Sequence, residues 1–173
     1  MMSHIVKYGA LAGIAVAIYA TVEFAIGLHG PYLSIGQYVG YLRYVLVSVG
    51  IYLAIKQAKD VSAGAPLTFW RAVGIGTGVA AIAGVVTSIY EWAYIQFINP
   101  GFMQDYTNFM TDQMREQGAS TEQISQMTVQ FEAFGTPVAQ FIFYTGETLI
   151  VGFIFSLIAG ALLKTKQPTN TTA

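Results

Sequence analysis

Four long apolar stretches constrain the fold of this chain more than any other feature. They cover about 8–28, 36–55, 73–98 and 137–163, and each contains a single Asp, Glu, Lys or Arg. A helix of roughly 20 apolar residues crosses the hydrocarbon core of a bilayer. Because lipid cannot satisfy free backbone N–H and C=O groups, such spans must be helical. The sequence therefore predicts an all-α fold, an integral membrane four-helix bundle in one domain over residues 1–173.

Composition supports a membrane protein and excludes several other classes. Of the 173 residues, 54% are apolar and only 10% are charged, which is unlike an ordinary soluble domain. A net charge of −1 provides no basic field for nucleic acid. The absence of cysteine rules out disulfides and thiolate metal sites.

The first apolar stretch has an alternative interpretation. Lys7, the apolar residues after it and the small residues of 15–17 resemble a secretory signal with its cleavage site. However, the apolar run continues beyond that site to Leu28, and its removal would leave an odd number of spans. We therefore expect a first membrane span.

Basic residues beside the spans predict the orientation, because Lys and Arg concentrate in cytoplasmic loops. One side carries most of them: Lys7, Lys56, Lys59, Arg71, Lys164 and Lys166. The other side carries only Arg115, among several acidic residues. The sequence predicts a multi-pass protein with both termini in the cytoplasm.

The segment between the third and fourth spans predicts an extracytoplasmic helical hairpin over about 102–134. Its first helix places Met103, Tyr106, Met110 and Met114 on one face. Gly118 ends that helix, and Ser120 with Gln123 predicts a capping box that begins the second. The second helix has its own apolar face: Ile124, Met127, Phe131 and Phe134. These faces could form a packed outer cap, or a methionine-rich docking surface for a partner.

Each span brings one ionisable residue to a similar depth, and these four form the candidate site: Glu23, Arg43, Glu91 and Glu147. At 1.5 Å per residue they lie roughly 8 to 15 Å below the outer surface. Intramembrane charges usually face the bundle interior and pair with one another. We therefore expect one polar layer beneath the hairpin.

Two interpretations of this layer remain open. Three carboxyls cannot all pair with one guanidinium, so at least one should be neutral or contact water or a cation. The layer could be structural, with one pair between Arg43 and a glutamate that fixes the bundle. It could also be a cavity open to the outside that binds a proton, a cation or a basic ligand.

Small residues four apart predict close helix packing at Gly9 with Gly13, at Gly74 with Gly78, and along Gly152, Ser156 and Gly160. This pattern implies packing rather than function.

No catalytic constellation, cofactor site or metal site is evident. The two histidines are His4, at the terminus, and His29, which we interpret as capping a loop. Neither a His-Glu-x-x-His pattern nor a Gly-x-Ser-x-Gly pattern is present. We predict a protein that is not an enzyme and uses no cofactor.

Several short motifs together resemble the domain of unknown function 4199 family of small bacterial membrane proteins. They are Lys7-Tyr8-Gly9, Thr68-Phe69, Asn99-Pro100-Gly101-Phe102, the run 115–124, and Phe134-Gly135-Thr136-Pro137. The resemblance implies four spans in a bacterial inner membrane. It supplies no activity and no catalytic residues.

The sequence favours a structural or accessory membrane protein, because the spans show no break by Gly or Pro of the kind common in transporters. The alternative is a small transporter, a channel component, or a protein that responds to protons or cations. Membrane lipid is an expected partner, and a homo-oligomer or a membrane protein partner remains possible.

Overall fold

A computed structural model describes residues 2–62 and 65–165, and every regular element within these ranges is helical. Residues 63–64, between the second and third spans, and Lys166 lie outside the described residues.

Four helical segments are long and apolar enough to cross a membrane, which confirms the predicted fold class. They are Met2–Ala25, Leu33–Asp60, Phe69–Ile98 and Pro137–Leu163. The individual helices are α1 (Met2–Ala25), α2 (Leu33–Val39), α3 (Arg43–Asp60), α4 (Phe69–Ala93), α5 (Phe102–Glu116), α6 (Thr121–Ala133) and α7 (Pro137–Leu163). A 3₁₀ turn joins α2 to α3, and a π-helical turn over Tyr94–Ile98 extends α4.

Side-chain caps explain where several helices begin. Thr68 accepts a hydrogen bond from the backbone N–H of Arg71 at the start of α4. Ser120 and Gln123 form the predicted capping box of α6. Gly118 adopts a left-handed φ of 79° just after α5, which favours glycine there. The α5–α6 hairpin is therefore encoded locally.

α4 lies at the centre of the bundle and packs against α1, α3 and α7. The segment after α7 pairs with the segment before α4, because Thr165 N–H donates to the Leu67 carbonyl at 2.9 Å. α1 runs parallel to α4, with Gly9 against Ile82 and Gly13 against Val86. Residues 2 and 165 therefore lie at the same end of the bundle, which we call the terminal side. The end that carries α5 and α6 is the hairpin side.

The terminal side contains an apolar core. Its members include Ile51, Ile55, Leu67, Val79 and Ala80, each at most 1% exposed. We call this cluster the terminal-side core.

Glycines bring the helices of this core close together. A Cβ at Gly152 would collide with Ala80, and one at Gly76 would collide with Ser156. Gly9 packs equally closely on Ile82. The predicted packing at Gly74 is wrong, since an added Cβ there would meet nothing within 4 Å. The helix period turns Gly76, and not Gly74, towards α7.

The second span is helical from Leu33 to Asp60, as expected, but it is locally tightened. Its helix passes through a 3₁₀ turn at Gly40–Leu42 between α2 and α3. Gly36 permits the backbone of α2 to lie against the Leu28 carbonyl, where a Cβ would collide. Gly36, Gly40 and Tyr41 of this span line the cavity described below.

Candidate functional site

A cavity of about 330 Å³ occupies the hairpin side of the bundle. All four ionisable residues of the spans line it: Glu23, Arg43, Glu91 and Glu147. The cavity is bounded by α1, the second span, α4 and α7, and the hairpin covers it. The fold thus brings together the four residues that the sequence identified as a candidate polar layer.

Arg43 and Glu147 form an ion pair across the cavity wall. One guanidinium nitrogen of Arg43 donates to both carboxylate oxygens of Glu147 at 3.0 Å. The Tyr44 hydroxyl also donates to Glu147. Both charged side chains are about one-quarter exposed, at 26% and 25%, so the pair is not fully desolvated. It accounts for one carboxyl and the one arginine of the layer.

One oxygen of Glu23 is buried without a matching donor. The residue is only 5% exposed, yet among residues 2–62 and 65–165 its Oε1 atom has no hydrogen-bond partner. Its Oε2 atom lies 3.8 Å from Nε2 of His29, too far for a hydrogen bond. Glu23 therefore lines the cavity with the hydrogen-bonding capacity of one carboxyl oxygen unused.

Glu91 is the second carboxyl that the ion pair does not neutralise. It is 8% exposed and lines the same cavity from α4. Within residues 2–62 and 65–165, no Lys, Arg or His nitrogen lies within 4 Å of it. The cavity therefore carries an excess of acidic groups over basic ones.

His29 lies in the cavity wall, although its sequence context suggested only a loop cap. Its Nδ1 atom lies 2.8 Å from the Tyr94 hydroxyl, which accepts a hydrogen bond from Asn99 at 3.0 Å. The hydroxyl proton is thus available for Nδ1, which leaves the proton of a neutral ring on Nε2, towards Glu23. The π-helical turn that begins at Tyr94 helps to position this network, as π-bulges often do at functional sites.

Gln140 provides a further cavity acceptor that the sequence did not reveal. It is 4% exposed in the first turn of α7, and its Oε1 atom has no hydrogen-bond partner. A search for intramembrane charges passes over a neutral amide. Its position as a polar residue in α7 gave little signal, because the same helix carries other polar residues such as Glu147 and Ser156.

The hairpin covers the cavity with an aromatic roof, which consists of Phe102, Tyr106, Phe131 and Phe134. The ring of Tyr106 packs edge-on against Phe131 at 5.7 Å, so α5 and α6 are joined within the roof. Phe134 contacts Phe143 of α7 at 5.1 Å. Burial raises the pKa of Tyr106, whose hydroxyl therefore remains neutral at physiological pH. The apolar faces of the hairpin thus cover the cavity, as in the packed-cap interpretation.

Partly exposed aromatic side chains mark the rim of the cavity. Tyr41, in the 3₁₀ turn, is 64% exposed, and Phe143, on α7, is 46% exposed. Both also line the cavity. The cavity therefore reaches the surface between the second span and the fourth span.

Comparison with known proteins identifies a family and no characterised relative. A family model described as "Protein of unknown function (DUF4199)" matches residues 7–165, which confirms the resemblance seen in the sequence. No curated protein and no solved structure matches the chain.

Proposed function

The chain belongs to the DUF4199 family, and we propose that it is a ligand-binding membrane protein whose cavity accepts a small cationic molecule. The buried and unpaired carboxyl of Glu23 carries this proposal.

Charge balance in the cavity supports a cationic ligand. Arg43 pairs with Glu147, which leaves Glu23 and Glu91 without a permanent positive partner. A buried carboxylate without partners is costly, so proteins usually pair such groups or exclude them. A cation in the cavity would supply the missing partner.

A purely structural role explains less of the site. The ion pair between Arg43 and Glu147 can fix α3 against α7, as a structural or accessory protein would require. It does not explain why the chain buries two further acids beside it. The geometry therefore favours ligand binding over the structural interpretation.

The hairpin side is proposed to face away from the cytoplasm of a bacterial cell. Lys7, Lys56, Arg71 and Lys164 lie at the terminal ends of the spans, which supports a cytoplasmic terminal side. In this orientation the cavity receives its ligand from outside the cell or from the outer leaflet.

Thermal unfolding in lipid nanodiscs tests the proposal. A panel of sodium, potassium, methylammonium and phenethylammonium chlorides is compared with N-methylglucamine chloride at constant ionic strength. A ligand at 100 times its Kd stabilises the folded state by about 2.7 kcal/mol. We expect at least one cation of the panel to raise the unfolding midpoint.

Two variants locate the effect. Glu23→Gln should abolish the cation-dependent shift, whereas Glu132→Gln, at an exposed position of α6, should retain it. Wild-type protein that no panel cation stabilises would contradict the proposal, as would a shift that survives in Glu23→Gln.

A carrier is the second candidate, and the 3₁₀ turn within the second span favours it. A 3₁₀ stretch inside a helix often marks a functional hinge, and the turn at Gly40–Leu42 lies next to Arg43. Proteoliposomes that accumulate radiolabelled phenethylamine, and lose this activity in Glu23→Gln, would establish transport. Binding without accumulation would leave a receptor or a sensor.

A further inference from the structure

We infer that the ligand is a protonated amine that carries a flat apolar group, and that it binds with its N–H donors on Glu23 and Gln140 beneath the aromatic roof. This inference rests on the proposed function and specifies the chemistry of that same cavity.

Two unused acceptors define the polar end of the ligand. Oε1 of Glu23 and Oε1 of Gln140 both belong to cavity-lining residues that are at least 95% buried, and within the described part of the chain neither atom has a donor. One atom belongs to a carboxyl group and the other to a neutral amide. A protonated amine provides several N–H donors and one positive charge, and so matches both atoms. A quaternary ammonium ion has the charge but no N–H.

A metal ion fits this cavity less well. Calcium needs six to eight oxygen ligands, and magnesium needs six in a near-ideal octahedron. Across residues 2–62 and 65–165, no three His, Cys, Asp or Glu side chains are grouped closely enough to hold a metal ion. An organic cation satisfies its own valence and needs fewer protein donors.

The aromatic roof specifies the other end of the ligand. Phe102 and Tyr106 stack at 5.9 Å, and Tyr106 meets Phe131 edge-on at 5.7 Å. Such rings pack on a flat apolar group at these separations and also attract a nearby cation. The volume of about 330 Å³ is at the lower end of the range for small-molecule sites. A single-ring arylalkylamine meets these requirements.

Competition binding in nanodiscs tests the inference with two probes that share a phenethyl group and a positive charge. Phenethylammonium has three N–H donors, and phenethyltrimethylammonium has none. Because a hydrogen bond to a charged group contributes strongly, we expect the trimethylated probe to bind at least about tenfold more weakly to the wild type. Methylammonium, which lacks the ring, should also bind at least about tenfold more weakly.

Variants assign the two preferences to separate parts of the cavity. Gln140→Leu should reduce the preference for the N–H probe. The matched control is Gln57→Leu, because Gln57 also has a buried unpaired Oε1 atom but lies at the terminal side. Phe131→Leu should reduce the preference for the ring, and Tyr106→Leu serves if that variant does not fold. Thermal unfolding of each variant in the absence of ligand shows which variants are folded.

The outcomes separate the inference from the proposed function. If some panel cation binds in a Glu23-dependent manner, but the two phenethyl probes bind equally well, the inference is overturned and the proposed function stands. Tighter binding of sodium or potassium than of phenethylammonium would likewise overturn the inference and leave the proposed function standing. If no cation binds, both fail.

Discussion

The two ends of this bundle are built from the same four spans but pack differently. On the terminal side, glycines such as Gly76 and Gly152 bring α4 and α7 together around side chains with almost no exposure. On the hairpin side, α4 and α7 remain in contact through Ser88 and Thr145, but a cavity of about 330 Å³ lies between these two helices, α1 and the second span, and Glu23, Arg43 and Glu91 line it.

This contrast indicates that the two ends of the bundle have different roles. Helices in lipid gain stability from close van der Waals packing of small residues, and the terminal-side core provides it. Buried polar groups without partners lower stability and are retained where function needs them. The terminal side therefore stabilises the bundle, and the hairpin side provides the cavity for the proposed ligand.

The largest expected effect is a loss of stability from disrupted packing in the terminal-side core. Gly152→Leu places a side chain against Ala80 and Ile51 and should lower the free energy of unfolding by about 3 kcal/mol, because overpacking forces helices apart. Reversible unfolding in mixed micelles measures it. Gly74→Leu is the control, since its Cβ meets nothing within 4 Å. Equal losses in both variants would disprove the packing difference.

The next effect concerns the ion pair between Arg43 of α3 and Glu147 of α7. Arg43→Leu leaves Glu147 without its cation and should destabilise the protein by about 2 kcal/mol, less than for a fully buried pair because both groups are about one-quarter exposed. The double variant with Glu147→Leu should recover part of this loss. A double-mutant cycle with no coupling energy would contradict the assignment of this pair.

A stabilising effect, opposite in sign to the previous two, is expected from substitution of Glu23. Glu23→Gln should raise the free energy of unfolding of the ligand-free protein by about 1 kcal/mol, because it removes an uncompensated buried carboxyl. The same micelle assay measures it, with Glu132→Gln as the exposed control. Destabilisation by Glu23→Gln alone would indicate that Glu23 has a structural partner.

The smallest effect concerns the network that holds His29. Tyr94→Phe removes the hydroxyl that contacts His29 and Asn99 and should cost about 1 kcal/mol or less. Tyr38→Phe, at a position 69% exposed, should be neutral. Tighter cation binding in Tyr94→Phe would contradict a positioning role for this hydroxyl.

Much of this architecture follows from local sequence signals. Apolar length predicts the spans, and Ser120 with Gln123 predicts the start of α6, because both depend on residues close in the chain. The single charge in each span predicts the polar layer, because intramembrane charges turn inward whatever the detailed packing.

Other features depend on contacts between distant residues and were not predictable in this way. The close approach of α2 to the Leu28 carbonyl depends on the absence of a Cβ at Gly36. The position of His29 depends on Tyr94, 65 residues away. Gln140 carries no charge, so only its burial beside the cavity identifies it as an acceptor.

Cysteine labelling with ligand protection tests the central claim most directly, since the chain contains no cysteine. Ala20→Cys places a thiol in the cavity wall, and Ser156→Cys places one between α4 and α7 at the packed end. We expect a positively charged methanethiosulfonate to modify Ala20→Cys and not Ser156→Cys, and phenethylammonium to slow the modification. An unreactive Ala20→Cys, or one that phenethylammonium does not protect, would contradict a ligand-binding cavity on the hairpin side.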